Sequence, residues 1–481
     1  TTDGSWGEGL GYNNYTFSNL SYSVPSLKNV FHIDVSQPLA HTYNQYIWGG
    51  MLDKKQWFEF GDSGGDMAPA TNWAFLLGLS NDPRLAWYYN YLKKDESIED
   101  VLYDTKDIKQ SDPFQEDPVK AFHKIGTTVF KSGWEKDGFT FVMRTGAFFN
   151  HQHLDQGSFW LADKGVPIIE ERHLHNSDYY DDPLYQSHLI QPIAHSTILI
   201  NGNEQSQRIG DDYKFAPGFE DHAFLADFLN GKDAAFSRGD IGRLYWGKIK
   251  SLTRNVLYLK PRTLIMLDEA VPGEKDVDVT LLYQTAQLGD IKAGQKQSTI
   301  TKEGVKLNIL HLTPDITETK AVETPHYLKT LLKERPLVKE GMLTVTAHTS
   351  GRPLIIANLL TTTDAGAEPD VKYTTGNGYV EGVASGQKFA FSTQPGSLYQ
   401  VGGMKTDALC ITWSAERIFV AQAMSFRRDD GFFVTSNIPF TFELAGEKIL
   451  YNHGTSGKVR FGFAHTPKSV RLNGTIVKGI V

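Results

Sequence analysis

The feature that most constrains this chain's fold is a change of hydrophobic period near Phe139. Upstream the pattern is helical. Trp73 to Leu79 is an apolar run following Asp66 and Pro69. Asp82-Pro83 then reads as an N-cap with proline at the first helical position, opening a helix through Leu85, Trp87, Tyr88 and Leu92. Ser97 to Tyr103 reads as one more short helix, and the aromatic sides of these segments suit packing into a larger helical array. From Phe139 the period becomes two, so side chains alternate between the faces of strands. Thr140 to Arg144, Phe159 to Ala162, Ser196 to Ile200 and Asn255 to Leu259 read as strands, as do Gly431 to Thr435 and Val459 to Phe463 further on. Asn201-Gly202 and Asn473-Gly474 are hairpin-turn dipeptides. A polar, glycine-containing stretch from Thr361 to Gly378 marks a boundary before a smaller C-terminal sheet. With 481 residues, the chain is long enough for two or three domains, helices first and stacked sheets after.

Charge narrows the partners. The formal net charge is −8 and no basic run or stripe appears, which argues against nucleic acid. The same field makes a densely sulfated polyanion a less natural substrate, although a local basic pocket would override it. Aromatic residues at 12% suit stacking on sugar rings, but large β-sandwiches are aromatic-rich too. The single cysteine, Cys410, excludes an intrachain disulfide and a cysteine-based zinc site. No apolar run of membrane-spanning length is present, so no membrane partner is expected. The chain opens Thr1-Thr2 without methionine, which suggests a processed or truncated product.

The chemistry concentrates in three places. In Arg144-Thr145-Gly146-Ala147-Phe148-Phe149-Asn150-His151-Gln152-His153-Leu154-Asp155, the residues His151, His153 and Asp155 alternate. On an extended strand they would share one face. Three such groups are costly to bury unless they bind a metal, each other or a substrate, whereas a solvated strand face would need no such purpose. Glu170-Glu171-Arg172-His173 follows the turn at Lys164-Gly165, and His195 opens the strand that follows. Two histidines and a carboxylate make a plausible zinc set. The third place is the N-terminus, where four glycines between Asp3 and Asn13 imply an irregular loop or close backbone approach around Tyr12. That tyrosine reads either as a catalytic phenol or as a plug between helices.

Together these segments resemble the heparinase II/III-like polysaccharide lyases. The pattern Asn-His-x-His-x-Asp-x-Gly-Ser-Phe at 150–159, the Asp-Gly-Ser…Glu-Gly…Tyr motif beginning at Asp3, and Ala194-His195-Ser196-Thr197…Asn201-Gly202 fall in that family's order. The resemblance implies an α+β multidomain chain. Part of an (α/α) toroid would occupy 1–125, a central antiparallel β-sandwich 126–375 and a small C-terminal β domain 376–481, with the site between toroid and sandwich. Tyr12 then matches the general acid, which is also the base in some members, and His151 matches the catalytic histidine. His153, Glu171 and His195 fall at the positions of a structural zinc site. Tyr180 or Tyr185 matches a second tyrosine lining the cleft, and Glu8, Tyr15 and Asn150 join it as substrate-binding residues. Two departures stand out: Glu170-Glu171 replaces the family's usual aspartate ligand, and Ser196 replaces its usual asparagine. Family members also carry toroid helices ahead of the Asp-Gly motif, so a cleaved N-terminal fragment is expected as a partner, with a homodimer as the other candidate.

The expected reaction is β-elimination on a uronic-acid-containing polysaccharide, alginate or glycosaminoglycan-like, in the periplasm or outside the cell. Removal of the C5 proton needs the adjacent carboxylate neutralised, a role open to Arg144 or to an upstream residue. His151 and Tyr12 would share the acid and base roles, and a phenol serves only where nearby positive charge lowers its pKa. Two rivals stand beside this reading. A zinc hydrolase is suggested by His151-x-His153-x-Asp155, although Gln156 follows where such motifs continue with histidine. A non-catalytic glycan-binding protein on the same scaffold is the second.

Overall fold

The computed structural model describes residues 3–50, 60–61, 73–92, 97–105, 107–148, 151, 153–171, 183–207, 222–327, 337–452, 457–463, 470–473 and 475–477. Among them the helices come first, at Leu10–Phe31, Ser36–Ala40, Tyr43–Gly50, Ala74–Ser80, Pro83–Leu92 and Ile98–Leu102, and everything from Lys120 onward is built mainly of strands. The chain is therefore mostly β. No described helix is long and apolar enough to cross a membrane.

The local signals act as their chemistry requires. The Asp82 carboxylate accepts the backbone N–H groups of Arg84 and Leu85 at 2.9 and 3.0 Å, capping the helix that Pro83 opens. Ser97 and Asp100 form a reciprocal capping box on the next helix. Lys164-Gly165 sits at positive φ in the two-residue turn between paired strands, whereas Asn201-Gly202, also at positive φ, closes no hairpin among the described residues, since Ile198–Ile200 pairs with Val277–Thr285. Two strands are shorter or later than their sequence suggests. The one after His195 runs Ile198–Ile200, because Pro192–Ala194 forms a 3₁₀ turn and His195 to Thr197 remain in turn conformation. The one at Gly431 runs Phe433–Ala445, with Gly431 itself in the turn at φ 91°.

Alternation of side chains explains the layering. A five-stranded sheet orders Lys120–Phe122, Thr127–Lys131, Thr140–Arg144, Phe159–Asp163 and Val166–Ile169, antiparallel throughout. One face, with Val129, Val142, Trp160 and Ala162, packs on the helices through Phe17, Trp48, Trp73 and Phe75. The other face, with Phe130, Phe141, Met143, Phe159 and Leu161, enters the central core. A sheet covered on both sides has no solvated face to mark with polar residues, which is why Thr140 to Arg144 is buried at every position.

An eight-stranded sheet forms the next layer. Its strands Ile249–Leu259, Thr263–Pro272 and Leu354–Asp364 send Val256, Tyr258, Met266 and Ile356 into the central core. The intervening residues Leu257, Leu259, Ile265 and Ala357 meet Phe389, Phe391, Cys410 and Phe419 of a C-terminal twelve-stranded sheet. A four-stranded sheet containing Ile198–Ile200 and Val277–Thr285 closes the side of the central core. Each large apolar side chain so buried contributes roughly 1.5–3 kcal/mol. The loops at the end of the five-stranded sheet, between Arg144 and Phe159, carry the residues of interest.

Candidate active site

The Gly-rich N-terminal segment holds Tyr12 in the first turn of the helix Leu10–Phe31. Gly4 lies at φ 82° against the His41 carbonyl, which would stand 1.7 Å from any Cβ there, so a side chain is excluded. Gln45 clasps Trp6 at both backbone groups, and Asn13 donates to the Thr42 hydroxyl at 2.9 Å. Leu10, Gly11, Asn13 and Asn14 are buried, while Tyr12 is half-buried. Its ring stacks on His151, with centroids 3.7 Å apart and planes 10° from parallel. The structure thus brings the first and second motifs together.

His151, His153 and Asp155 do not lie on a strand. Their segment is a loop between the strands Thr140–Arg144 and Phe159–Asp163, with His151 in the left-handed region at φ 59°. The alternation expected of a strand is replaced by a partition. His151 remains half-buried at the rim, whereas His153 and Asp155 are fully buried. Hydrogen bonds make this conformation the stable one. The Leu154 N–H donates to the Ile190 carbonyl at 2.8 Å, that of Gly157 to Arg144 at 2.7 Å, and that of Gly146 to the Gln156 side chain at 2.6 Å. Gln207 donates to the Gln156 carbonyl and accepts from its N–H. Backbone groups satisfied by these partners have no need of a strand ladder.

Asp155, Glu171 and His195 converge behind the loop, with one ligand atom from each lying within 4.8 Å of the others. Glu171 Oε2 faces His195 Nδ1, and Oε1 accepts the Ser196 N–H at 3.1 Å. His195 Nε2 lies 3.1 Å from the Leu189 carbonyl, which can only accept, so Nε2 carries a proton. That leaves Nδ1 directed at the carboxylate, the arrangement in which a histidine presents a lone pair to a cation or bonds the carboxylate as an imidazolium. Two buried carboxylates this close need positive charge. Arg144 supplies part of it from 3.3 Å to Asp155, with its side chain only 6% exposed. The group is therefore one that can hold a metal ion of zinc type, and its nitrogen and oxygen donors suit such an ion. His153 adjoins it, its ring 5.0 Å from that of His195 and edge-on to Tyr185 at 6.2 Å.

The two glutamates separate clearly. Glu170 turns outward to Lys302 at 2.8 Å, and Glu171 turns inward. Asp155 was legible as part of the alternating triplet, but its place beside Glu171 was not. Arg144 is turned onto Asp155 and away from solvent. Tyr185 is buried, 5% exposed, and Tyr15 stands 67% exposed three positions beyond Tyr12. Glu8 accepts from the Trp6 indole at 3.3 Å. Asn150 and Tyr180 lie outside the described residues. Ser196, where an asparagine is usual, contributes its N–H to Glu171 and its hydroxyl as acceptor to the Gln284 N–H at 3.0 Å.

Sequence reasoning missed a buried hub beneath these loops. Arg254 and Asp268 face each other across adjacent strands, and both are fully buried. The guanidinium reaches both Asp268 oxygens and also donates to the carbonyls of Gly157 and Ser196, at 2.6 and 3.1 Å. Burial alone would lower the Arg254 pKa, but the adjacent carboxylate outweighs it and the net direction is up. One cation thereby ties the loop after His151 to the turn after His195. The available signal was an arginine between Thr253 and Asn255, and an aspartate followed directly by Glu269 after an apolar run.

A family model described as heparinase II/III-like, C-terminal, matches residues 115–359, about half of the chain. The chain belongs to this family. The matched span includes Arg144, the loop to Phe159, Glu171, His195 and the Arg254–Asp268 pair, while Tyr12 lies upstream of it. Among solved structures the chain is similar to the heparan sulfate lyase HepC from Pedobacter heparinus, at 15% identity and a TM-score of 0.57, covering 80% of this chain and 58% of that one. It is also similar to a structure of heparinase III, at 11% identity and a TM-score of 0.60, with 82% and 61% covered. A second heparinase III gene product matches at 14% identity and a TM-score of 0.57, with 82% and 58% covered. At such identities the likeness concerns the fold, and this chain spans about three fifths of those structures. No curated protein matches the sequence.

Proposed function

We propose that this chain carries the catalytic groups of a polysaccharide lyase that cleaves a uronic-acid-containing polymer by β-elimination, giving a 4,5-unsaturated uronate end. The observation that carries the reading is the stack of Tyr12 on His151, two titratable rings from distant segments held 3.7 Å apart at a half-buried rim. In the reaction, a base takes the C5 proton, the electron pair forms the C4–C5 double bond, and the C4-linked oxygen leaves with a proton from an acid. Tyr12 and His151 share these two roles, their assignment following the C5 configuration of the substrate. Arg144, held on Asp155, is a positioning residue in this scheme, keeping the loop that bears His151 in place.

Zinc belongs to the proposal as a structural ion held by Glu171 and His195, with His153 and Asp155 beside them. What it supplies there is positive charge to compensate the buried carboxylates and a fixed geometry for the two loops. The net charge of −8 favours a lightly sulfated substrate, alginate or an unsulfated glycosaminoglycan type. Polymers of this size are met in the periplasm or outside the cell, where we place the protein.

The test is to incubate the protein with alginate, hyaluronan, chondroitin and heparan sulfate while following ultraviolet absorbance of unsaturated product. Product from one polymer, abolished in His151→Ala and Tyr12→Phe, is the expected result. Binding without product from any of them would overturn the lyase reading in favour of a glycan-binding protein.

A further inference from the structure

The C-terminal sheet carries a surface groove that shares no residue with the active site. Three hollows meet at Trp413. The first, of about 620 Å³, is lined by Lys232, Lys260, Lys388 and Arg417, and the second, of about 640 Å³, by Gly402, by Arg417 and Arg428, and by the carboxylates Glu416, Asp429 and Asp430. The third, of about 380 Å³, is bordered by Lys372 and Tyr373. The first two are of ligand-binding size.

Local structure explains why the indole stands there. The strand Cys410–Trp413 buries its first three residues and leaves the tryptophan half-buried at its end. Lys388 is its direct cross-strand partner, so the exposed lysine and the indole rise from one face of the sheet. The chain then turns back at Ser414, whose N–H donates to the Arg417 carbonyl at 2.9 Å, bringing Arg417 to the same edge. On the other side, Gly402 and Gly403 form a tight turn with φ of 54° and 74°. A Cβ at Gly402 would stand 3.1 Å from Nε1, Cε2 and Cζ2 of the indole, so glycine there keeps that side of the ring uncrowded.

The charge of the first hollow opposes that of the whole chain. Four cations line it against two carboxylates, Asp233 and Glu443. Asp233 is engaged by Arg417 at 3.4 Å, and Glu443 accepts the Lys232 N–H at 2.8 Å. Burial raises the Glu443 pKa and lowers that of Lys260, so it weakens both signs of charge in this hollow. An aromatic face flanked by ammonium groups matches a ligand with an apolar C–H face and regularly spaced carboxylates.

We propose that the Trp413 groove is a second binding site for a uronate oligosaccharide, holding the polymer on the protein away from the Tyr12–His151 site. The inference rests on the reading of the chain as acting on a uronate polymer. Retention of alginate, hyaluronan, chondroitin and heparan sulfate by the full chain in affinity electrophoresis tests it, alongside product formation. For the polymer that is bound, Trp413→Ala should weaken retention about tenfold, Trp413→Phe should restore most of it, and Lys388→Glu should weaken it several-fold, less so at high salt. Cleavage of a short oligosaccharide should be unchanged in all three variants. Lys388 is exposed, so its variant tests the site without risk to folding. Product formation with retention unaltered in Trp413→Ala and Lys388→Glu would overturn this site and leave the lyase reading standing. Retention that depends on Trp413 without product from any polymer would do the reverse, and neither retention nor product would overturn both.

Discussion

The rim where Tyr12 meets His151 and the knot of Asp155, Glu171 and His195 are supplied in part by the same short loop, yet they obey opposite rules. At the rim two rings are half-buried and touch face to face. In the knot every group is nearly or wholly buried and faces a charged or hydrogen-bonding partner. The rim can lose a side chain without leaving a charge stranded, whereas the knot cannot. A half-buried rim and a buried knot are thus divided within five residues, between His151 and Asp155.

Replacing rim residues should separate activity from stability most sharply. His151→Ala and Tyr12→Phe should each lower turnover by about 10²–10⁴-fold, the usual contribution of a positioned acid or base. The melting temperature should stay near that of the parent in a thermal scan. A comparable loss of melting temperature in either variant would erase the contrast between the regions.

The hub beneath the knot should show the reverse. Arg254→Met leaves Asp268 buried without its cation, a loss of about 3–5 kcal/mol by denaturant unfolding. Arg254→Met with Asp268→Leu should recover much of it, since an apolar pair removes the stranded charge. Failure of the double variant to recover would mean that the bonds to Gly157 and Ser196, not the ion pair, carry the effect.

The adjacent glutamates sharpen the comparison within one dipeptide. Glu171→Gln should cost about 1–3 kcal/mol, since it replaces a buried charged acceptor of His195 and of the Ser196 N–H. Chelation should lower the melting temperature of the parent and leave this variant little changed. Elemental analysis of the two proteins is the direct check, and equal metal content in both would remove Glu171 from the ligand set. Glu170→Gln, which loses only a partly exposed bridge to Lys302, should cost under about 1 kcal/mol.

Much of the architecture was legible because periodicity is a local property. The cap at Asp82, the short helix after Ser97 and the strand Thr140 to Arg144 follow from neighbouring residues alone. The reading of residues 151–155 as a strand failed for the complementary reason. Alternation at three positions fits a strand, but hydrogen bonds to Ile190 and Gln207, far away in sequence, hold that segment as a loop. Arg254 went unnoticed because an arginine between polar neighbours carries meaning only once Asp268 stands opposite it.

What the sequence determined by itself was the inventory: helices before sheets, a motif dense in histidine and carboxylate, and a tyrosine in a glycine-rich segment. Those depend on residue type and spacing, which the chain carries with it. Only the tertiary structure decided which groups meet. It set Tyr12 against His151, sent Glu171 inward and Glu170 outward, and placed Asp155 with His195. The reason is that the energy of a buried charge depends on partners brought from elsewhere in the chain, and those partners exist only after folding.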